Sequence, residues 1–336
     1  MANEPPLLDA AAHDFRPAPN SEARGRGAKV FVPWSLCETV GEWHFYPIRA
    51  DPTRILDEHW CMSPYYTLRD DFYKLPKYSL TGINITLADY HDGPLENWTT
   101  GALHFNGSSQ YAVLKNEDIE RPVTMTVGSR SDNQTRTVSG ADLTNPQIHT
   151  SSFLVEIYFK AAVGQTEMVL VQKINGSGYV LGINKAGGVT FATSSGGNTV
   201  WLDSRIVVND GQWHHVIAEA NRKNKTLTIY LDGKQDATGL GFGGDVSLAN
   251  DADLYVGGGP NGHYLNGAID FLRMARSTLA DSKTTIEELY AWEFNGPFLY
   301  DFNGRRRSSD GGCAGAIDMN PNPEISPGTP SDSPVP

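Results

Sequence analysis

The chain of 336 residues has few cysteines, no long apolar run and no excess of positive charge. Its three cysteines, Cys37, Cys61 and Cys313, lack C-x-x-C spacing, which argues against a thiolate metal cage and against a full disulfide framework. A single Cys37–Cys61 disulfide stays open, because only the distance between the two residues would decide it. No apolar segment approaches the roughly 20 residues that a bilayer-spanning helix needs.

The formal net charge is −12 and the isoelectric point is near 5.2. This balance repels nucleic-acid backbones and anionic lipid surfaces, so we expect no nucleic-acid partner and no membrane insertion. The first residues, MANEPPLLDAAAHDF, have neither the basic start nor the apolar core of a secretion signal.

The two ends of the chain differ in composition from its middle. Residues 1–29 are rich in Ala, Pro, Arg and Gly, and residues 319–336 are rich in Pro, Ser and acidic side chains. Such segments bury too little apolar surface to offset the entropy of ordering, so we predict flexible ends. Between them we expect a folded domain at 30–300 and an appended closing segment at 301–318. An aromatic-rich segment at about 48–90 either caps the domain or forms a binding surface.

The middle of the chain consists of short runs rich in β-branched and aromatic residues, separated by Gly, Asn and Asp. This pattern is typical of antiparallel sandwiches. Two segments have helical character: TTIEELYAW, where Thr284 and Glu287 stand in capping-box register, and DPTRILDEHW. We predict an all-β sandwich of two antiparallel sheets with one short C-terminal helix.

The segment from Asp210 to Lys234, DGQWHHVIAEANRKNKTLTIYLDGK, predicts a β-hairpin. Its second strand alternates aliphatic and mixed residues, so one face points into a core. The inward residues are Leu227, Ile229 and Leu231. His214 and His215 occupy successive strand positions and therefore face apart, which argues against a shared metal ion. We expect Trp213 to anchor the core.

This hairpin resembles the diagnostic hairpin of bacterial laminin G-like, concanavalin A-like jelly-roll domains, with its D-G-x-W-H-H-V and Y-x-D-G motifs. GALHFNGSSQYAVL and YLNGAIDFLRMARSTLADSKTTIEELY are similar to an early strand and to the closing strand and helix of that family. The resemblance covers about 40–291, and 48–90 is an insertion without counterpart. It implies a two-sheet jelly roll that commonly serves as a noncatalytic module of secreted or cell-surface bacterial proteins and often binds glycans.

The resemblance also implies one calcium ion. Asn106 stands where the family often has Asp in an F-D-G motif, and Asp270 matches the acid of the closing G-x-I-D motif. Calcium takes carboxylate and carbonyl oxygens, so these two residues are the candidate metal ligands. Gln110 replaces a second frequent acid. In the alternative interpretation, Asp270 only hydrogen-bonds a turn.

Glycan binding needs an exposed aromatic platform with polar neighbours. Four residues in apparent loops are candidates for ligand binding: Trp98, Trp201, His263 and Tyr264. Each could instead be partly buried at the rim of the sandwich. The expected partner is a polysaccharide or glycoconjugate. Two alternatives stay open: a structural or protein-interaction domain without glycan ligand, and an accessory part of a polysaccharide-degrading enzyme.

The sequence does not favour catalysis. Glycoside hydrolases on this kind of sandwich place paired carboxylates on one strand as E-x-D-x-E, and here Glu156 stands without such companions. The chain contains no G-x-S-x-G, P-loop or H-E-x-x-H motif. The glycine-rich LYVGGGPNG precedes no helix and predicts a turn. We therefore expect no enzymatic activity.

The flanks carry a second resemblance. HDFRPAPNSEARGRG and YDFNGRRRSSDGGCAGAIDMNP are similar to the closing elements of many secreted right-handed β-helix proteins. This resemblance implies that the chain is the C-terminal part of a longer protein, located outside the cell or on its surface, whose other domains are further partners.

Overall fold

A computed structural model describes residues 7–9, 14–17, 39–57, 78–94, 101–119, 123–128, 135–140, 145–165, 167–282 and 285–295. The chain divides into two compact units, one formed by 1–31 with 290–335 and the other by 32–289. In the first unit, β1 (Leu7–Asp9) and β2 (Asp14–Pro17) pair antiparallel. The prediction that 1–29 is wholly flexible did not anticipate this pair. Residues 301–336 and the three cysteines lie outside the described residues.

The remaining strands belong to the second unit. They are β3 (Thr39–His44), β4 (Arg54–Ile55), β5 (Leu80–Ile83), β6 (Tyr90–His91), β7 (Ala102–Asn106), β8 (Tyr111–Leu114), β9 (Val123–Gly128), β10 (Thr135–Gly140), β11 (Phe153–Ala161), β12 (Met168–Asn175), β13 (Ser177–Ile183), β14 (Gly188–Ser195), β15 (Asn198–Val207), β16 (Trp213–Asn221), β17 (Thr226–Leu231), β18 (Lys234–Leu240), β19 (Leu254–Val256) and β20 (Asn266–Ala275). The α-helices are α1 (Asn116–Ile119) and α2 (Ile286–Asn295). None of the helices in the described ranges is long and apolar enough to cross a bilayer.

Two eight-stranded antiparallel sheets form the sandwich, as predicted. The first runs β18-β17-β16-β11-β20-β7-β6, with β3 also paired to β20, and the second runs β15-β14-β13-β12-β19-β8-β5-β4. Strands β9 and β10 pair separately. The inner faces of the two sheets share one apolar core, and the predicted inward positions Leu227, Ile229 and Leu231 lie in it with 2% or less of their surface exposed.

The core tryptophan is Trp43, not Trp213. Trp43 is fully buried, and its indole N–H donates a 2.6 Å hydrogen bond to the carbonyl of Tyr78. Trp213 is only half-buried, because the even-numbered residues of β16 face the core and Trp213 takes the outer face. There its ring packs 5.2 Å from the ring of Tyr158. The prediction that Trp213 anchors the core was therefore wrong.

The predicted C-terminal helix is present as α2, and its cap lies one residue later than expected. The backbone N–H of Glu288 donates to Thr285 Oγ1 over 3.2 Å, and the backbone N–H of Thr285 donates to the Glu288 carboxylate over 3.4 Å. This reciprocal pair is a capping box at Thr285 and Glu288, in place of Thr284 and Glu287.

The helix considered for DPTRILDEHW does not form in the part that the structure describes. Residues Arg54–Ile55 are strand β4, paired with β5. The carboxylate of Asp57 accepts hydrogen bonds from the backbone N–H of Glu42 (2.9 Å) and of Tyr78 (2.8 Å), so contacts with distant segments override the local helix preference.

The aromatic-rich insertion extends both sheets at their ends. Strands β4 and β5 border the second sheet, and β6 borders the first. Tyr78 and Tyr90 of this insertion are buried in the core, which fits the capping interpretation for these two residues. The insertion has five further aromatic residues outside the described residues: Trp60, Tyr65, Tyr66, Phe72 and Tyr73.

His214 on β16 links the segment before this strand to the turn between β17 and β18. His214 Nδ1 lies 2.8 Å from Asp232 Oδ2, and His214 Nε2 lies 3.1 Å from Asp210 Oδ1. Asp232 and Gly233 form the two-residue turn before β18, both with positive φ, as a type I′ hairpin requires. Because two carboxylates accept from one ring, the imidazole is held as a cation. His215 faces the opposite side, as predicted, with Nε2 2.8 Å from a carboxylate oxygen of Glu156.

The two carboxylates around His214 predict that the stability of the fold depends on pH. Burial lowers the pKa of His214, but hydrogen bonds and charge attraction from Asp232 and Asp210 outweigh it, so the pKa is raised above the ordinary 6.5. A raised folded-state pKa stabilises the fold fully below the unfolded value and loses this effect as pH rises through the folded value. Urea unfolding of the wild type and of His214→Gln should therefore differ more in unfolding free energy at pH 5.5 than at pH 9.

Asp232→Asn supplies the matched control: in that background His214→Gln should show a much smaller pH-dependent difference, because the main carboxylate partner of the ring is gone. If the difference in unfolding free energy between the wild type and His214→Gln stays constant across this pH range, the two carboxylates do not stabilise a charged imidazole.

Candidate functional site

The outer faces of the two sheets differ in exposure and charge. On the first sheet, ionisable side chains of β3, β11, β16 and β20 are almost completely buried, among them Glu42, His44, Glu156, His215 and Arg273. On the second sheet, the outward side chains Tyr111, Gln172, Val180, Ala192 and Tyr255 are partly exposed, and Trp201 keeps 66% of its surface accessible, whereas Val113, opposite Tyr255, is buried. A ligand from solution can therefore reach the second face.

These five side chains form a continuous chain of hydrogen bonds and ion pairs, which we call the ion chain. His44 Nε2 lies 2.9 Å from Glu42 Oε1, and Glu42 Oε2 lies 3.4 Å from Arg273 Nε. Arg273 Nη1 donates over 2.5 Å to Glu156 Oε2, and Glu156 Oε1 lies 2.8 Å from His215 Nε2. Both oxygens of Glu156 are thus engaged and shielded from solvent, which leaves this residue unsuited to attack a substrate. The ion chain stabilises the first sheet.

Three tyrosines gather on the outer face of the second sheet. The ring centroid of Tyr111 lies 5.9 Å from that of Tyr255 and 6.3 Å from that of Tyr264. All three side chains are half-buried, so each ring has support beneath it and surface left for contact. We call Tyr111, Tyr255 and Tyr264 the tyrosine cluster.

Polar groups border the tyrosine cluster. Gln172 stands beside Tyr255 in the cross-strand register and is half-buried. The Tyr255 hydroxyl donates to Asp253 Oδ2 over 3.1 Å, and Lys115 Nζ donates to the same oxygen over 2.8 Å. Burial and the Asp253 carboxylate raise the pKa of Tyr255, so its phenol stays protonated. Burial acts to raise the pKa of Asp253, but the hydrogen bonds from Lys115 and the backbone of Asn116 hold it below its usual value.

Glycines leave room for these rings, at the predicted LYVGGGPNG turn. Gly258 has φ +137°, and a Cβ placed there would lie 2.8 Å from Tyr264 Cδ1. A Cβ on Gly259 would lie 3.0 Å from Gln172 Nε2 and 3.5 Å from Tyr255 Cγ. The glycine run therefore allows the backbone to approach the tyrosine cluster closely.

The structure separates the four residues predicted to bind ligand. Tyr264 belongs to the tyrosine cluster, and Trp201 lies on the same sheet face at the edge strand β15. His263 has φ +57°, and its Nδ1 donates a hydrogen bond of 2.8 Å to the carbonyl of Glu167. Trp98 lies outside the described residues.

Sequence reasoning missed Tyr111 and Tyr255. The signal was available in LYV, where Leu254 and Val256 are buried core residues and the tyrosine between them must take the outer face. The sequence did not show that β8 and β19 are neighbours in the sheet, so it could not bring the two rings together.

Asn106 and Asp270 lie apart in the register of the first sheet, and the calcium site expected at them stays a prediction. Asn106 lies opposite Asn266 in the register of β7 and β20, four positions before Asp270. Its Oδ1 accepts hydrogen bonds from the backbone N–H groups of Ser108 and Ser109 and from the Ser108 hydroxyl, so Asn106 caps a turn. Asp270 is fully buried. Within the described part of the chain, no three His, Cys, Asp or Glu side chains are arranged to hold a metal ion.

Comparison with known proteins gives a partial family match. Residues 134–283 match the laminin G model described as the concanavalin A-like lectin/glucanases superfamily. Human pikachurin is 32% identical over 117 residues, which is 34% of this chain and 11% of pikachurin. The chain thus spans about a tenth of this curated relative. Residues 134–283 contain the β16–β17 hairpin with His214 and His215 and strands of both sheets, in agreement with a laminin G-like jelly roll.

Solved structures show more distant likeness. The binding domain of Paraclostridial Mosquitocidal Protein 1 aligns at 14% identity with a TM-score of 0.46, over 81% of this chain and 56% of that one. The CBM40 of a Ruminococcus gnavus IT-sialidase, bound to alpha2,3 sialyllactose, aligns at 21% identity with a TM-score of 0.34, over 40% of this chain and 80% of that one.

The ion chain predicts a large penalty for removing its central cation. Arg273→Met leaves the carboxylates of Glu42 and Glu156 buried without the guanidinium between them, which should cost roughly 3–5 kcal/mol of unfolding free energy. Arg205→Met, at an exposed position of β15, is the control and should have little effect. Equal urea midpoints for the two variants would contradict the structural role of the ion chain.

The glycine turn predicts a specific effect at Gly258. Gly258→Ala combines an unfavourable φ with a clash against Tyr264, so we expect a loss of roughly 1–3 kcal/mol in unfolding free energy and a displaced tyrosine ring. Gly262→Ala is the matched control, because φ there is also positive (+92°) but nothing lies within 4 Å of the added Cβ. Chemical denaturation that gives the same loss for both variants would show that the contact with Tyr264 is unimportant.

Proposed function

We propose that the unit 32–289 is a noncatalytic carbohydrate-binding module whose ligand stacks on the tyrosine cluster. The observation that carries the proposal is the cluster itself: three supported, half-exposed tyrosine rings on an open sheet face, next to an amide and a carboxylate. Pyranose rings present apolar C–H faces to aromatic rings and hydroxyls to polar side chains, so this combination suits a sugar. The laminin G-like match over 134–283 supports the same function class.

Each neighbour of the tyrosine cluster has a defined task in this proposal. The rings of Tyr111, Tyr255 and Tyr264 take the apolar face of the sugar. The Gln172 amide can both donate to and accept from ring hydroxyls. The Asp253 carboxylate accepts hydrogen bonds from sugar hydroxyls, and the hydrogen bond from Lys115 keeps this carboxylate ionised. The ligand is a neutral polysaccharide or the neutral part of a glycoconjugate, because a net charge of −12 disfavours polyanionic glycans.

We further propose that the module belongs to a secreted or cell-surface bacterial protein, a setting that the resemblances in the sequence support. In that setting the module attaches its parent protein to a polysaccharide, and the other domains of the parent are its covalent partners. An accessory role beside a polysaccharide-degrading domain belongs to the same proposal, with the chemistry performed elsewhere in the parent.

A protein-interaction module is the second candidate. Edge strands β15 and β18 expose aliphatic side chains, with Ile206 and Val207 each 50% accessible and Leu240 82% accessible. Exposed apolar edges can dock on a neighbouring protein. This function predicts a stable oligomer or complex and no binding of sugars.

Removal of one stacking ring tests the proposal. We expect wild-type protein to be retarded in native gels that contain soluble neutral polysaccharides (β-glucans, mannan, xylan or galactan), and Tyr264→Ala to lose most of this retardation. Tyr264→Phe should keep it, because the ring remains. Val163→Ala, at a side chain that is 75% exposed and lies on the turn after β11, is the control and should behave as wild type. Wild-type protein that no neutral polysaccharide retards would rule the function out.

A further inference from the structure

One row of side chains crosses the outer face of the second sheet. Tyr255 lies opposite Gln172, Gln172 opposite Val180, Val180 opposite Ala192, and Ala192 opposite Trp201. The pairings are consecutive cross-strand partners in five neighbouring strands, so the side chains stand side by side along the hydrogen-bonding direction. We call these five residues the cross-strand row.

The cross-strand row is accessible and carries no charge. Four of its members are half-buried, and Trp201 is 66% exposed. Neighbouring strands are about 4.8 Å apart, so four steps place the backbone positions of Tyr255 and Trp201 roughly 19 Å from each other. This span is much longer than one sugar ring.

The side chains of the row also differ in height. Its two ends carry aromatic rings, whereas Val180 and Ala192 between them are short. Thr190, two positions before Ala192 on the same face of β14, adds a hydroxyl at the border. A shallow trough between two aromatic ends fits a linear chain of sugars, since rings at the ends can stack and small side chains in the middle leave space.

From this geometry we infer that the ligand is an extended, neutral oligosaccharide that lies along the cross-strand row from the tyrosine cluster to Trp201. The inference rests on the proposed function and adds to it the size, charge and direction of the ligand. A short glycan would contact the tyrosine cluster alone. A polyanion is disfavoured by the net charge of −12, because the row itself contains no cation.

Oligosaccharides of different length test the two aromatic ends of the row separately. Binding constants are measured by calorimetry for a neutral oligosaccharide series, from dimer to hexamer, prepared from whichever neutral polysaccharide retards the wild type. For the wild type we expect affinity to rise with length up to the longest members. Trp201→Ala should weaken the hexamer about tenfold, in line with the loss of one aromatic contact, and leave the dimer unchanged.

A second variant tests the middle of the row. Ala192→Glu adds a long charged side chain at the outward-facing centre, so it should weaken long oligosaccharides and spare the dimer. Tyr264→Ala should weaken both, and Val163→Ala should weaken neither. Thermal melting confirms that each variant is folded before its affinity is compared.

The outcomes distinguish the inference from the function on which it rests. If the wild type binds but Trp201→Ala and Ala192→Glu match it for every length, the extended row is wrong and a short site at the tyrosine cluster stands. If no neutral glycan binds, or only acidic polysaccharides do, both proposals fall. A protein that instead associates with itself through Trp201 and shows no sugar binding would assign this face to protein contacts.

Discussion

The cross-strand register of the two antiparallel sheets is the constraint on which every site in the protein depends. Because side chains alternate between faces, a shift of one residue would exchange the core positions with the outer ones. The type I′ turn at Asp232 and Gly233 and the carboxylates around His214 set this register at one end of the sandwich. The same alternation places His215 on the outer face of the first sheet and Tyr255 on the outer face of the second.

The two sheets use their outer faces differently. The first closes its face over an ion chain in which Arg273 links Glu42 and Glu156, and burial makes each charge dependent on its partners. The second leaves its face open, with aromatic and amide side chains and few charges. A hydrophilic but neutral ligand can displace water from such a face without removing a charge from solvent, and this favours sugars over ions and nucleic acids.

Much of the fold could be predicted from the sequence because strand alternation and turn chemistry are local. The inward face of TLTIYLDG, the opposed histidines and the C-terminal helix all follow from short-range rules. The prediction that Trp213 anchors the core was wrong. It relied on the size of the side chain, whereas the alternation of β16 places the odd-numbered Trp213 on the outer face. The calcium pair was carried over from motifs, and the register of β7 and β20 separates Asn106 from Asp270 by four positions. The tyrosine cluster was found only in part, since it requires knowledge of which strands are neighbours.

The most direct test of the account is a nuclear magnetic resonance titration of the full chain with the hexamer of the neutral glycan that it binds. We predict shifts of the Gln172 side-chain amide, the Val180 and Ala192 backbone amides and the Trp201 indole N–H, all saturating together. Shifts confined to the edge aliphatic residues Ile206 and Leu240, or to the first sheet around Arg273, would contradict a ligand on the open face of the second sheet.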